Sequence, residues 1–226
     1  SLALARIRRH APAMRTIGLS ATVADPMDLQ RYLAPQVEGE PPAGLITVEG
    51  GAKPNIAILQ TEERIPWSGH SARYAMQDLY PEIKDHQTTL IFVNTRSQAE
   101  RIFQELWTIN DDNLPIALHH GSLDAGQRRK VEQAMAENKL RAVVATSTLD
   151  LGIDWGDVDL VVHVGAPKGA SRLAQRIGRA NHRMDEPSKA ILVPANRFEV
   201  MECRAALDAN YIGAQDTPPI AEGALD

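Results

Sequence analysis

The sequence predicts an α/β protein: a doubly wound, mainly parallel sheet flanked by helices, preceded by a partial segment of another domain. Three observations carry this. Five short apolar runs recur between residues 89 and 193, helical patterns stand between them, and the first sixty residues hold too few elements to bury a core of their own.

Taken in order, Arg15-Thr-Ile-Gly-Leu-Ser-Ala-Thr22 reads as a buried strand, and a short helix is expected near Met27 to Leu33. Pro35 to Gly51 is rich in proline and glycine, and with the apolar Leu45-Ile-Thr-Val48 it reads as an interdomain connection. The runs Thr89 to Val93, Pro115 to Leu118, Arg141 to Ala145, Leu160 to Val164 and Ala190 to Val193 predict at least five parallel strands buried on both faces. Ala99, Ile102, Phe103 and Leu106 recur at helical spacing after the first run. Val131, Ala134 and Met135 do so beyond the turn residues Asp124 and Gly126. This is βαβαβ with right-handed crossovers, so the functional face is expected at the strands' carboxyl ends. Gly213-Ala-Gln-Asp-Thr-Pro-Pro219 ends the last helix. The expected organisation is a remnant of a first domain over 1–34, a linker with short strands over 35–65, a complete domain over 66–212 and a tail over 213–226. With serine rather than methionine at position 1, the chain reads as a piece of a longer protein.

Composition narrows the function classes. No apolar stretch approaches the roughly 20 residues that span a bilayer, and no apolar segment of a secretion signal follows Arg6, Arg8 and Arg9, so no membrane role and a cytoplasmic location are expected. The single Cys203 excludes an intramolecular disulfide and a cysteine metal cluster, and reads as a core residue. A net charge of −5 means that any nucleic-acid contact must come from local basic clusters. Met76, Met135 and Met184 read as packing residues, and Trp107 as sealing a helix against the sheet.

Two segments carry the chemistry. In Ala145-Thr-Ser-Thr-Leu-Asp-Leu-Gly-Ile-Asp154 a strand opens into hydroxyls, a glycine and carboxylates. Such a loop offers donors to a phosphate where Gly152 lets the main chain come close, and Asp154 an acceptor for a sugar hydroxyl; an ordinary capped turn at Asp150 or Asp154 is the alternative. In the second segment Arg172, Arg176, Arg179 and Arg183 follow one another at spacings of four, three and four around Gly178, with no acid in the stripe, so an anion is expected to meet them.

Thr146 to Asp154 resembles motif V, and Gln175-x-x-Gly178-Arg179 motif VI, of superfamily 2 helicases. Ser20-Ala-Thr22 resembles motif III, Leu90-Ile-Phe-Val-Asn-Thr-Arg96 motif IV, and His119-His-Gly-Ser-Leu123 with Arg128 the segment that follows it. The wording around Ser147 to Asp159 and Arg176 to His182 is most similar to the large helicase-related branch and its ligase-associated DEXH-box members. The resemblance implies a RecA-like second motor domain, with ATP and Mg2+ held mainly by a first RecA-like domain in cis. It also implies single-stranded nucleic acid, DNA above RNA, crossing both domains, with DNA-repair proteins as partners in the bacterial nucleoid. Carried onto this sequence, Arg179 is the candidate finger to the γ-phosphate, with Gln175 and Arg183 beside it; Gly152, Asp154 and Arg176 face ATP. Asn94, Thr95, Gly121, Ser122, Arg128 and Thr146 line the nucleic-acid track, and Ser20 and Thr22 couple nucleotide state to grip. Where many relatives have an arginine three positions after Arg179, this chain has His182, read as a helix-surface residue, followed by Arg183; whether either or neither takes the place of that arginine stays open. Trp155 stands next to the ribose-facing aspartate.

A Gly-x4-Gly-Lys-Ser/Thr phosphate loop is missing: Gly39 to Gly44 is followed by Leu45, and Gly121 to Gly126 by Gln127. The chain alone is therefore not expected to hydrolyse ATP. A binding-only RecA-like module and a metabolic enzyme for a phosphorylated small molecule remain the competing readings; a dinucleotide version of the latter lacks its Gly-x-Gly-x-x-Gly.

Overall fold

The computed structural model describes residues 2–20, 22–35, 39, 41–48, 52–150, 157–180 and 187–216. Two compact units result, one of Ser1–Glu49 with Ala214–Asp226 and the other of Gly50–Gly213.

In the first unit, α1 (Leu2–His10) and α2 (Pro26–Leu33) are the regular elements among the described residues. Asp25 caps α2 by accepting from the Met27 amide at 2.8 Å, and Pro26 occupies the first turn, where its missing N–H costs nothing. Arg8 on α1 donates to the Ala34 carbonyl at 2.6 Å and to Leu33 O, closing the other end of α2. The strand expected over residues 15–22 does not form at its described positions. Ile17 and Leu19 are 85% and 95% exposed, and no neighbouring strand answers their backbone groups among the described residues; apolar content without a ladder partner does not make a strand.

The second unit is a six-stranded, wholly parallel sheet in the order β1-β6-β5-β2-β4-β3. Its strands are β1 (Asn55–Ile58), β2 (Thr89–Val93), β3 (Ile116–His119), β4 (Ala142–Ala145), β5 (Leu160–Val164) and β6 (Lys189–Val193). Every residue of β2, β4 and β5 is buried, which is why these strands read as unbroken apolar runs. β1 lies in the stretch read as a linker with short strands, but it joins the main sheet, pairing Asn55 to Ile58 with Lys189 to Leu192 of β6, so the sheet begins earlier than residue 66.

Among the described residues five α-helices cover the sheet: α3 (Met76–Asp85), α4 (Arg96–Thr108), α5 (Ala125–Ala136), α6 (Ala170–Ile177) and α7 (Arg197–Tyr211). On one side Leu79, Ile83, Ala99, Ile102 and Leu106 pack against Ile91, Val144 and Val162; on another, Met135 and Ala180 pack against Leu90, Phe92 and Val143. Cys203 is fully buried with Leu173 and Leu192, and its thiol is pushed up to about 12, chiefly by burial. Met76 and Met135 are buried, as expected of packing residues. Trp107 is 59% exposed and stacks on Phe103 at 5.9 Å instead of sealing α4 to the sheet; Leu106, one position earlier, takes the inward face. Among the described residues no helix is long and apolar enough to cross a membrane.

Candidate functional site

The sheet order sets β2, β4 and β3 side by side, so the residues leaving their carboxyl ends lie on neighbouring strand exits: Asn94 and Thr95 after β2, Thr146 after β4, Gly121 and Ser122 after β3. Each exit is built locally. Thr95 caps α4, its hydroxyl accepting from the Gln98 amide at 3.2 Å. Asn94 donates its side-chain amide to Ala166 O at 2.8 Å, while its backbone N–H meets Gln98 Oε1 at 3.0 Å. Opposite it, Gly165 holds a φ of +91°, and a Cβ there would sit 3.0 Å from Asn94 Nδ2, so glycine is needed for conformation and space together. Asn94 is thus held in the scaffold by two bonds, a part the sequence reading did not foresee.

After β3, Gly121 and Ser122 are exposed, and Asp124 caps α5 by accepting from the Gly126 amide at 2.7 Å. Arg128, Arg129 and Lys130 follow on α5, and the Arg128 Nε–H is buried without a hydrogen-bond acceptor. Ser122 donates its amide to His120 Nδ1 at 3.3 Å, and His120 Nε2 lies 3.5 Å from Glu100 Oε1. His119, also buried, reaches Glu132 Oε1 from Nε2 at 3.1 Å and Thr148 Oγ1 from Nδ1 at 2.8 Å. Burial lowers its pKa against the opposing pull of Glu132, so the ring is neutral at pH 7, with Nε2–H donating to Glu132 and Nδ1 accepting from Thr148. This ties β3, α5 and the turn after Thr146 into one frame.

The second cluster gathers around Asp150. Arg176 on α6 donates Nε to Asp150 Oδ1 at 2.7 Å and Nη2 to Oδ2 at 3.3 Å; Arg172 Nε stands 3.6 Å from the same carboxylate. The Arg176 guanidinium lies 4.5 Å above the Phe92 ring, and its Nη1 is 2.7 Å from His163 Nε2. His163 Nδ1 lies 3.1 Å from the Gly165 carbonyl, which can only accept. The ring proton therefore sits on Nδ1, and Nε2 accepts from Arg176. Burial first, and then the Arg176 charge, push the His163 pKa down to about 3.

Arg176 is 2% exposed. Its guanidinium is spent on internal partners, which corrects the expectation that it faces ATP. The arginine stripe is corrected as well: α6 stops at Ile177 with Gly178 as its C-cap, and a distant upstream acid, Asp150, pairs with two of the stripe's members, Arg176 and Arg172. Arg179 lies beyond the helix in a tight turn, its N–H bonded to Arg176 O at 3.0 Å, with Ala180 buried behind it. It is half-buried; Nη2 donates to the Asp150 carbonyl at 2.7 Å, and Nε is buried without an acceptor. Gln175 is exposed one turn earlier. Gly152, Asp154, Trp155, His182, Arg183 and Met184 lie outside the described residues. In the first unit Ser20 Oγ accepts from the Thr22 amide at 3.3 Å in a local turn.

Sequence reasoning named Asp150 only as a possible turn cap, not as the partner of Arg176, and it gave no role to His163, Phe92, Glu132 or Thr148. Only His163 announced itself, as the one polar residue in Leu160-Val-Val-His-Val164. Among the described residues no group of His, Cys, Asp and Glu has the makings of a metal site. A cavity of about 490 Å³ beside β1 and α3, lined by Ile58, Asp78, Pro81 and Ile191, shares no residue with either cluster.

Comparison with known proteins accords with this geometry. Residues 72–184 match the helicase conserved C-terminal domain. The chain is 37% identical to an ATP-dependent helicase Lhr-Core protein 2 of Thermococcus barophilus, over 89% of this chain and 24% of the relative. It is 34% identical to an ATP-dependent helicase Lhr-Core of Methanocaldococcus jannaschii, over 100% of this chain and 26% of the relative. A solved structure of Mycobacterium smegmatis helicase Lhr, bound to ssDNA and AMP-PNP, superposes with a TM-score of 0.80 at 31% identity, covering 90% of this chain and 27% of that one. The chain thus spans about a quarter of the length of these relatives. From the matched family and the shared parallel sheet, the chain belongs to the helicase conserved C-terminal domain family of superfamily 2, as a RecA-like domain resembling those of Lhr helicases.

Proposed function

We propose that this chain is the second motor lobe of an ATP-dependent DNA helicase or translocase. It offers Arg179 to the γ-phosphate of an ATP molecule held, with its Mg2+, mainly by a first RecA-like domain, and it carries part of a single-strand track across the ends of β2, β4 and β3. The observation that carries the reading is Arg179 itself. It is the half-buried arginine of the Gly178-Arg179 turn, with one nitrogen fixed on the Asp150 carbonyl and a buried Nε–H lacking an acceptor. A guanidinium held with donor capacity to spare suits a phosphoryl group that gains charge in the transition state. Gln175 lies one turn away, and Arg183, Gly152 and Asp154 complete the assignment by their positions in motifs V and VI.

On the track, Arg128 in the first turn of α5 has an unsatisfied buried Nε–H, and Gly121 and Ser122 in the segment that leads into that helix are exposed. Backbone phosphates settle at such a place without regard to base sequence. Ser20 and Thr22 would sense nucleotide state, and the cellular setting is DNA repair in the cytoplasm.

The test joins the chain to a first RecA-like domain bearing a phosphate loop and measures Mg2+-dependent ATP turnover with and without single-stranded DNA. Turnover that rises with DNA and collapses in Arg179→Ala supports the motor. Single-strand binding with no stimulated turnover establishes the binding-only module instead.

A further inference from the structure

The contacts of Asp150 go beyond what a turn residue needs. Its carboxylate takes Arg176 at 2.7 and 3.3 Å and stands 3.6 Å from Arg172, while its carbonyl accepts Arg179 at 2.7 Å. We propose that Asp150 is the positioning residue for Arg179: its side chain clamps α6 to the exit of β4, and its main chain sets where the Arg179 guanidinium points. This rests on the reading of Arg179 as the phosphate-facing arginine.

Arg176 cannot relax around the clamp. The paired contact with Asp150 fixes the plane of its guanidinium, the Phe92 ring covers one face at 4.5 Å, and His163 Nε2 takes Nη1 at 2.7 Å. His163 in turn is anchored by the Gly165 carbonyl at 3.1 Å. Two strands and the segment that follows a third therefore define one position for Arg176: β2 through Phe92, β5 through His163, and the turn after β4 through Asp150. Arg179 follows within a single turn, hydrogen-bonded back to Arg176 O at 3.0 Å and forward to Asp150 O. A shift of Asp150 relative to α6 moves the acceptor of Arg179 along with its helix. Asp150 meets no phosphate in this scheme and acts entirely through Arg179.

The test uses the helicase carrying this chain behind its first motor domain and compares wild type, Arg179→Ala, the paired change Asp150→Asn with Arg176→Gln, and the paired change combined with Arg179→Ala. The neutral pair retains a hydrogen bond across the buried site and avoids leaving a lone charge there. Misplacement of a charge-stabilising group by about 1 Å is worth about 10²-fold in rate. The paired change is expected to lower kcat about 10²-fold with KM for ATP within about 3-fold. Adding Arg179→Ala to it is expected to give the turnover of Arg179→Ala alone, because both changes remove one function. A paired variant with wild-type kcat, or losses that multiply, overturns the proposal while leaving the Arg179 reading intact. Unchanged turnover in Arg179→Ala itself removes that reading and this inference together. Asp150→Glu keeps the charge and guards against a paired variant that does not fold. One added methylene displaces the carbonyl from α6, so kcat falls about 10-fold at unchanged KM, and an unaffected kcat contradicts the positioning role.

Discussion

Replacing Arg176 with alanine tests the corrected role of that residue. The side chain is 2% exposed, and its carboxylate partner Asp150 is 7% exposed, so neither charge has appreciable water to fall back on. Removing the guanidinium leaves the buried carboxylate with only the half-exposed Arg172, 3.6 Å away, and breaking a buried pair in this way costs about 3–5 kcal/mol. It also strips the donor from His163 Nε2 and the cation from the Phe92 face, contributions that overlap with the first. A loss of about 4 kcal/mol is expected, equivalent to a fall in Tm of about 8–16 °C for a chain of this size. Urea melts of the chain followed by far-ultraviolet circular dichroism measure it. The paired apolar change Arg176→Met with Asp150→Leu serves as the control, since removing both charges leaves no orphan, and it should recover most of the stability. Destabilisation below about 1 kcal/mol by Arg176→Ala would refute the buried clamp. Unchanged stability with lost nucleotide affinity would return Arg176 to the ATP-facing role.

Three further outcomes follow from the same geometry. His163 has a folded pKa of about 3 against an ordinary value of 6.5, so below pH 6.5 the unfolded chain takes up a proton that the folded chain refuses. Stability should therefore decline as pH falls from 6.5 towards 3, by about 2 kcal/mol between pH 7 and pH 5 from this residue, and His163→Gln should flatten that part of the curve in pH-dependent urea melts. Arg128→Ala should weaken single-strand binding about equally for all base sequences and reduce the slope of log K against log salt by about 1; a sequence-dependent loss would contradict a phosphate contact. The isolated chain, lacking a phosphate loop, should show no Mg2+-dependent ATP turnover above background in a phosphate-release assay.

Much of the fold was legible because a parallel sheet covered on both faces writes itself as apolar runs. Thr89 to Val93 and Leu160 to Val164 matched their strands residue for residue. The place of β1 in the main sheet was hidden because its four residues, Asn55-Ile-Ala-Ile58, sit at the sheet edge with alternate residues exposed, next to a proline-rich stretch that reads as a loop. The run near Ile17 erred the other way: its composition suits a strand, but strands need partners, and pairing is a property of the surrounding fold. At the site, strand ends were legible because crossover topology dictates where they meet. The ion pairs were not. Asp150 and Arg176 are separated by 26 positions and brought together by the adjacency of β4, β2 and β5, so the arginine stripe looked unpaired when its acid lay on another element. The proton position on His163 depends on the Gly165 carbonyl and Arg176 together, and no local pattern encodes it.

The most direct measurement of the central claim is single-turnover ATP hydrolysis by the chain joined to its first motor domain, saturated with single-stranded DNA, comparing Arg179→Ala and Arg179→Lys with wild type. If Arg179 meets the γ-phosphate, alanine lowers the rate by about 10³-fold or more while ATP binding weakens little, and lysine, a point charge without the planar fork, restores only part of it. Hydrolysis by Arg179→Ala at the wild-type rate would mean that this guanidinium serves the fold alone.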